Sequence, residues 1–220
     1  MIYHLPLFRI SALILTLLAT NLAQAEARKV SIQLQWKHQF EFAGFYAAKA
    51  RGFYRDANLD VEIIPYSPGD PAPVERIKNK QVDFAVGDSS IILDRVRGYP
   101  VKLLKVLFQH SPFVLLTRTD SGIISPAQMA GKTIMLANQE ASIAEFKAMF
   151  AAESVDLDDM TVVPHSFSVH PLINGEVDIM SAYASNEPAE LRELGIHYNI
   201  ISPLNYGIDF YGNNIYSHQD

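Results

Sequence analysis

The chain has 220 residues, with 18 Lys and Arg against 24 Asp and Glu, and no cysteine. An acidic balance without a basic run argues against nucleic acid or an anionic membrane surface as partner. The missing thiols exclude disulfides, cysteine nucleophiles and cysteine-ligated zinc or iron–sulfur centres.

Residues 1–25 read as an export signal. His4 and Arg9 begin it, Ile10 to Ala19 form an apolar run, and Ala23-Gln24-Ala25 offers a small-x-small cleavage site. The run is shorter than the roughly 20 apolar residues that span a bilayer, so cleavage and a periplasmic location are expected. Removing residues 1–25 takes away Arg9 and no acid, leaving 17 bases against 24 acids, a net charge of −7.

The rest alternates short β-like runs with longer helical patterns. Strands are expected at Val30–Gln35, Val61–Pro65, Phe84–Val86, Leu103–Phe108, Phe113–Thr117, Thr133–Ala137, Met160–Val163, Ile179–Ala182 and Ile200–Ser202. Helices are expected at Ala43–Ala50, Pro73–Asn79, Ser90–Arg97, Ser142–Ala152 and Glu187–Leu194. This alternation predicts an α/β protein with mostly parallel strands. A turn-rich stretch at 118–131, with Ser125-Pro126 set up as an N-cap and a first helical proline, predicts two lobes. Residues 26–117 are assigned to lobe 1 and 118–205 to lobe 2, with 206–220 returning to an incomplete lobe 1. Tyr206 to Gly212 reads as the returning strand, and Ser217 to Asp220 as a helix start.

In an open α/β sheet, ligands meet the loops beyond the carboxyl ends of strands. Trp36, the only tryptophan, stands at such an end with His38 and Tyr46 near it; its ring suits either a planar ligand or the core. Asp88 and Ser89 can cap the next helix or meet a polar ligand. Asn138 and Gln139 can pair with a donor–acceptor edge and Glu140 can accept from an amine, or Glu140 can complement a helix dipole. Tyr183, Asn186 and Glu187 stand before Pro188, which marks a helix start. Tyr206 to Tyr211, with Asp209, lies near a hinge, as core or as cleft wall. His165 and His170 lack a metal-site pattern and read as surface residues. Asp156, Asp158 and Asp159 lack the calcium-loop series.

Trp36 to Ile64, Val82 to Gly87, Ser125 to Ile134 and Ser185-Asn186-Glu187-Pro188 resemble the thiamine-pyrimidine-precursor (hydroxymethylpyrimidine synthase-like) and alkanesulfonate-type periplasmic substrate-binding proteins. The resemblance covers about residues 29–216 and is greatest to the binding-protein or sensor branch. It implies a type 2 periplasmic binding-protein architecture, here read as truncated at the C-terminal end. It also implies lobe closure on a small pyrimidine-like ligand by a monomer without a cofactor, serving a membrane importer or a fused signalling module. Trp36 and Tyr183 would be stacking walls, and Asp88, Asn138, Glu140, Asn186 and Glu187 polar readers. The family also contains a pyrimidine synthase that uses a pyridoxal-phosphate lysine, a substrate histidine and iron. Gly87 and Ile91 stand in the lysine and histidine places here, so that alternative is disfavoured. A third reading, from another class, is a sensor domain that binds a partner protein.

Overall fold

The computed structural model describes residues 26–67, 69–136 and 143–220. The export signal expected at 1–25 therefore lies outside the described residues.

In chain order the first part comprises β1 (Arg28–Gln33), α1 (Ala43–Ala50), α2 (Phe53–Asp56), β2 (Leu59–Ile64), α3 (Pro73–Lys78), β3 (Phe84–Gly87), α4 (Ile91–Val96) and β4 (Val101–Phe108). β1 runs parallel to β2, Arg28 opposite Leu59 through Gln33 opposite Ile64, and parallel to β3 on its other side. The chain leaves α1 through Gly52 at φ 78°, a left-handed turn that glycine takes without a Cβ clash. Pro73 opens α3, where its fixed φ and missing N–H cost nothing.

The second part comprises β5 (Phe113–Arg118), β6 (Thr133–Leu136), α5 (Ile143–Ala152), β7 (Thr161–Pro164), α6 (His170–Ile173), β8 (Ile179–Tyr183), α7 (Glu187–Glu193) and β9 (Tyr198–Ile201), and β10 (Gly212–His218) follows. Each expected strand has a counterpart among these. Ser125 and Gln128 form a capping box around Pro126, as that sequence pattern anticipates.

The strands make two five-stranded sheets, ordered β2-β1-β3-β10-β4 and β7-β6-β8-β5-β9. In each, one antiparallel strand sits second from an edge, and it is the strand that has just crossed from the other sheet. Two segments, 109–112 and 202–211, make the crossings. His110 Nδ1 and Asp209 Oδ2 bond them to each other at 2.9 Å.

Two sequence readings need correction. Phe113–Thr117, assigned to lobe 1, pairs with β8 and β9, so the first crossing lies before it and not at 117. Its unbroken burial from Phe113 to Thr117 is that of an inner strand covered on both faces. The returning strand is Gly212–His218 and not Tyr206–Gly212, and Ser217 and His218 end that strand where a helix start was expected.

Both faces of each sheet carry core. Leu115, Ile134 and Phe146 lie in one cluster of the second lobe and Val114, Leu116 and Met180 in another. In the first lobe Ile77, Val82 and Tyr216 pack on one face, and Ile32, Leu34 and Phe42 on the other. Gly87 ends β3 against Tyr216, and a Cβ built there would meet the Tyr216 ring at 2.9 Å. Gly87→Ala is therefore expected to destabilise by about 1–3 kcal/mol through overpacking. The urea midpoint should fall at an unchanged slope.

Candidate ligand-binding cleft

The carboxyl ends of both sheets face one cleft. Its walls include Gln35, Trp36, Gln39 and Glu41 from the segment after β1, Tyr66 after β2, Gly87 at the end of β3, and Asp88 and Ser90 after it. The second lobe supplies Phe113, His165, Ser181, Tyr183 and Glu187. The chain order 2-1-3 within each sheet reverses direction at β1 and at β6, the switch points where open sheets bind ligands.

Hydrogen bonds from Gln35 to Tyr183 and from Asn186 to Glu41 join the lobes around this cavity, and three more brace its two sides. Gln35 Nε2 donates to the Tyr183 hydroxyl and to Asn213 Oδ1, both at 2.7 Å. Asn186 Nδ2 donates to Glu41 Oε2 at 2.6 Å, and Asn213 Nδ2 to the Glu41 carbonyl at 3.3 Å. The Tyr183 amide donates to Glu187 Oε2 at 2.9 Å. Because Tyr183 already accepts from Gln35, its hydroxyl hydrogen is left to donate elsewhere.

Among the described residues, the carboxylates in the walls have no basic counterpart there. Glu41, Asp88, Asp94 and Glu187 line the cavity, and no lysine or arginine does among the described residues. Burial raises the Glu41 carboxyl to about 7, with Glu187 adding like charge and Lys37 opposing it. Burial likewise raises Asp88 and Glu187. Glu145 is also held at about 7 by burial, while its Oε2 accepts from Ser111 Oγ at 2.9 Å. Such a site favours ligand groups that donate hydrogen bonds or carry positive charge.

His165, read from sequence as a surface residue, is instead buried, at 8% exposure. Its Nε2–H donates to the Ser181 carbonyl at 3.1 Å, and its Nδ1 accepts from the Phe167 amide at 2.9 Å. That pair of bonds requires the neutral ring. Burial depresses its pKa to about 4, in keeping with that state. His170 is exposed, as expected.

The cavity thus gathers four residues singled out from sequence, Trp36, Asp88, Tyr183 and Glu187. Asn186 reaches the rim through Glu41. Ser89 turns its hydroxyl to the Tyr211 carbonyl, 2.8 Å away, and is not a wall. His38 and Tyr46 bond to each other outside the cavity. Asn138 and Glu140 lie outside the described residues. Tyr206 and Ile208 pack on the second-lobe core and Tyr211 is exposed, so the hinge aromatics are not cavity walls. Asp88 accepts from the Ser90 amide at 2.7 Å, so it also shapes the turn into α4.

Sequence reasoning missed Glu41, Gln35, Gln39 and His165. Local sequence carried no clear signal for Glu41: of its two aromatic neighbours Phe42 is buried but Phe40 is 76% exposed. The synthase cofactors do not fit this set. Gly87 and Ile91 are walls where the lysine and histidine would stand, so there is no amine to form an imine with pyridoxal phosphate, and the chain has no cysteine.

Among curated proteins, the chain is 25% identical over 191 residues to the riboflavin-binding protein RibY of Chloroflexus aurantiacus, covering 81% of this chain and 52% of that one. It is 22% identical over 215 residues to the formylaminopyrimidine-binding protein of Halalkalibacterium halodurans, covering 93% and 64%. The chain therefore spans about half to two thirds of the length of these relatives. In fold it is similar to the alkanesulfonate-binding protein SsuA of Xanthomonas axonopodis pv. citri, with TM-score 0.66 and 15% identity over 89% of this chain and 67% of that one. The architecture is that of a type 2 periplasmic binding protein. The NMT1/THI5-like family model matches residues 39–220, and the chain belongs to that family.

Proposed function

We propose that this protein is a periplasmic binding protein that captures a small, planar, nitrogen-rich ligand, a thiamine-pyrimidine precursor or a close relative of one. It acts by binding and not by catalysis. Closure of the two lobes would present the filled form to a membrane importer or a linked signalling module. A ligand drives such closure only by its greater affinity for the closed form.

The observation that carries this reading is the wall composition. Trp36, Tyr66, Phe113, Tyr183 and Tyr216 supply aromatic surface to one cavity. Glu41, Asp88, Asp94 and Glu187 supply acceptors there, and no lysine or arginine is a wall among the described residues, although Arg97 pairs with Asp94 at 3.7 Å. Aminopyrimidines offer a flat π face and exocyclic N–H donors, which match both features. An alkanesulfonate would bring an anion into an acidic, partly dry site, at a cost in desolvation and repulsion. The likeness to SsuA is therefore one of fold, and the pyrimidine-binding relative supports the ligand class.

A thermal-shift series tests it, using aminomethyl and hydroxymethyl pyrimidine precursors, thiamine, riboflavin and alkanesulfonates. A ligand present at about 100 times its dissociation constant should stabilise by ~2.7 kcal/mol. Stabilisation by the aminopyrimidines is expected. Stabilisation by alkanesulfonates alone would reject the proposal, and stabilisation by riboflavin alone would move the ligand to the flavins.

A further inference from the structure

We propose that Phe167 is the latch of the clamp: a second-lobe residue that holds the lobes together by clasping Trp36, with His165 as its brace. Phe167 follows β7 in the second lobe, whereas Trp36, Lys37 and Tyr66 belong to the first. The Phe167 ring stacks on the Trp36 indole, centroids 4.1 Å and planes 25° apart. It also lies tilted against Tyr66 at 6.3 Å. Lys37 Nζ donates to the Phe167 carbonyl at 2.9 Å. Ring and backbone of one residue thus engage three residues of the opposite lobe.

Phe167 is a positioning residue, because Trp36 is a cavity wall and Phe167 is not. Its backbone is unusual. At φ 63° it occupies the left-handed region, where a bulky L-residue is disfavoured. His165 holds it there: the Phe167 amide donates to Nδ1 while Nε2–H is tied to Ser181 of β8. His165 also meets Trp36 edge-on, at 5.5 Å and 71°. The second sheet therefore fixes the strained residue, and the strained residue places a ring against the indole.

The inference concerns how Trp36 is held and applies to any ligand the cleft takes. Its test uses Phe167→Gly, which removes the ring while keeping a residue at ease at positive φ, and Phe167→Tyr, which keeps the ring. Acrylamide quenching of Trp36 emission and the radius of gyration are measured on each purified protein without added ligand. Because Trp36 is the only tryptophan, its emission reports the clasp directly. Phe167→Gly is expected to at least double the quenching constant and to enlarge the radius of gyration. Phe167→Tyr is expected to match the parent in both. If Phe167→Gly changes neither quantity, or raises quenching with no change in radius, the latch is wrong.

With an aminomethylpyrimidine as probe, Phe167→Gly should release it at least ten times faster with little change in association rate. Failure of the probe to bind the parent protein would count against the proposed ligand class, and the quenching and scattering results would still decide the latch.

Discussion

Glu41→Gln is expected to weaken aminopyrimidine capture while making the free protein more stable at pH 8. The buried Glu41 carboxyl has a folded pKa near 7 against an ordinary 4.5, chiefly because burial disfavours its charge. At pH 8 the folded protein must hold that charge, at a cost of up to ~3 kcal/mol. Gln keeps the shape, and its Oε1 can still accept from Asn186 Nδ2, the partner Glu41 has at 2.6 Å. Removing the charge removes the penalty. It also removes a charged acceptor, worth about 1.5–3 kcal/mol of binding, or roughly 10- to 150-fold in dissociation constant. Melting curves at pH 8 and calorimetric titration with an aminomethylpyrimidine measure the two halves. A variant that is both less stable and unchanged in affinity would make Glu41 a structural residue.

The second large effect is on stability against pH. Glu41 and Glu145 have folded pKa values raised to about 7. A raised pKa contributes stability that is fully present below the unfolded value of 4.5 and is lost as pH rises through 7. His165 works in the opposite direction. Its folded value is lowered to about 4, so its contribution is present above 6.5 and is lost as pH falls through 4. Two groups lose stability on the alkaline side against one on the acid side, and the raised Asp88 and Glu187 act with the pair. The free protein is therefore expected to be about 2–3 kcal/mol more stable at pH 5.5 than at pH 8. Denaturant unfolding at the two pH values checks this; equal stability, or greater stability at pH 8, would show that the cluster is better solvated than its burial implies. A bound cationic ligand should shrink the difference, since it stabilises the charged carboxylates.

Most of the architecture was legible because parallel strands of an α/β sheet are short apolar runs separated by helical periodicity. α1 is an example: Gly44 apart, Ala43–Ala50 is made of residues at home in a helix, and Gly52 closes it. The crossing strands were not legible. Phe113–Thr117 looks the same whether it pairs with the first or the second sheet, because local periodicity does not name a partner. Gly212–His218 contains Gly, two Asn and a Ser, poor strand formers. Its place between β3 and β4 comes from tertiary pairing, and Asn213 is buried because Gln35 and Glu41 need it.

The site divided along the same line. Trp36, Asp88, Tyr183 and Glu187 stand next to strand ends, so chain order alone points to them. Glu41 and His165 depend on contacts made across the fold: Glu41 on Asn186 from the other lobe, and His165, which follows β7, on Ser181 of β8, with β6 between the two strands. Neither bond leaves a trace in local sequence. His38 and Tyr46 were drawn in by nearness to Trp36, yet Tyr46 lies on α1 and the pair closes on itself outside the cavity.

Titration of Trp36 fluorescence at pH 7 with an aminomethylpyrimidine precursor and, separately, with an alkanesulfonate tests the central claim most directly, because the sole tryptophan is a wall of the cavity. A saturable change with the pyrimidine and none with the sulfonate is the expected result. A saturable change with the sulfonate and none with the pyrimidine would contradict it, and would mean that the acidic walls do not select the cargo.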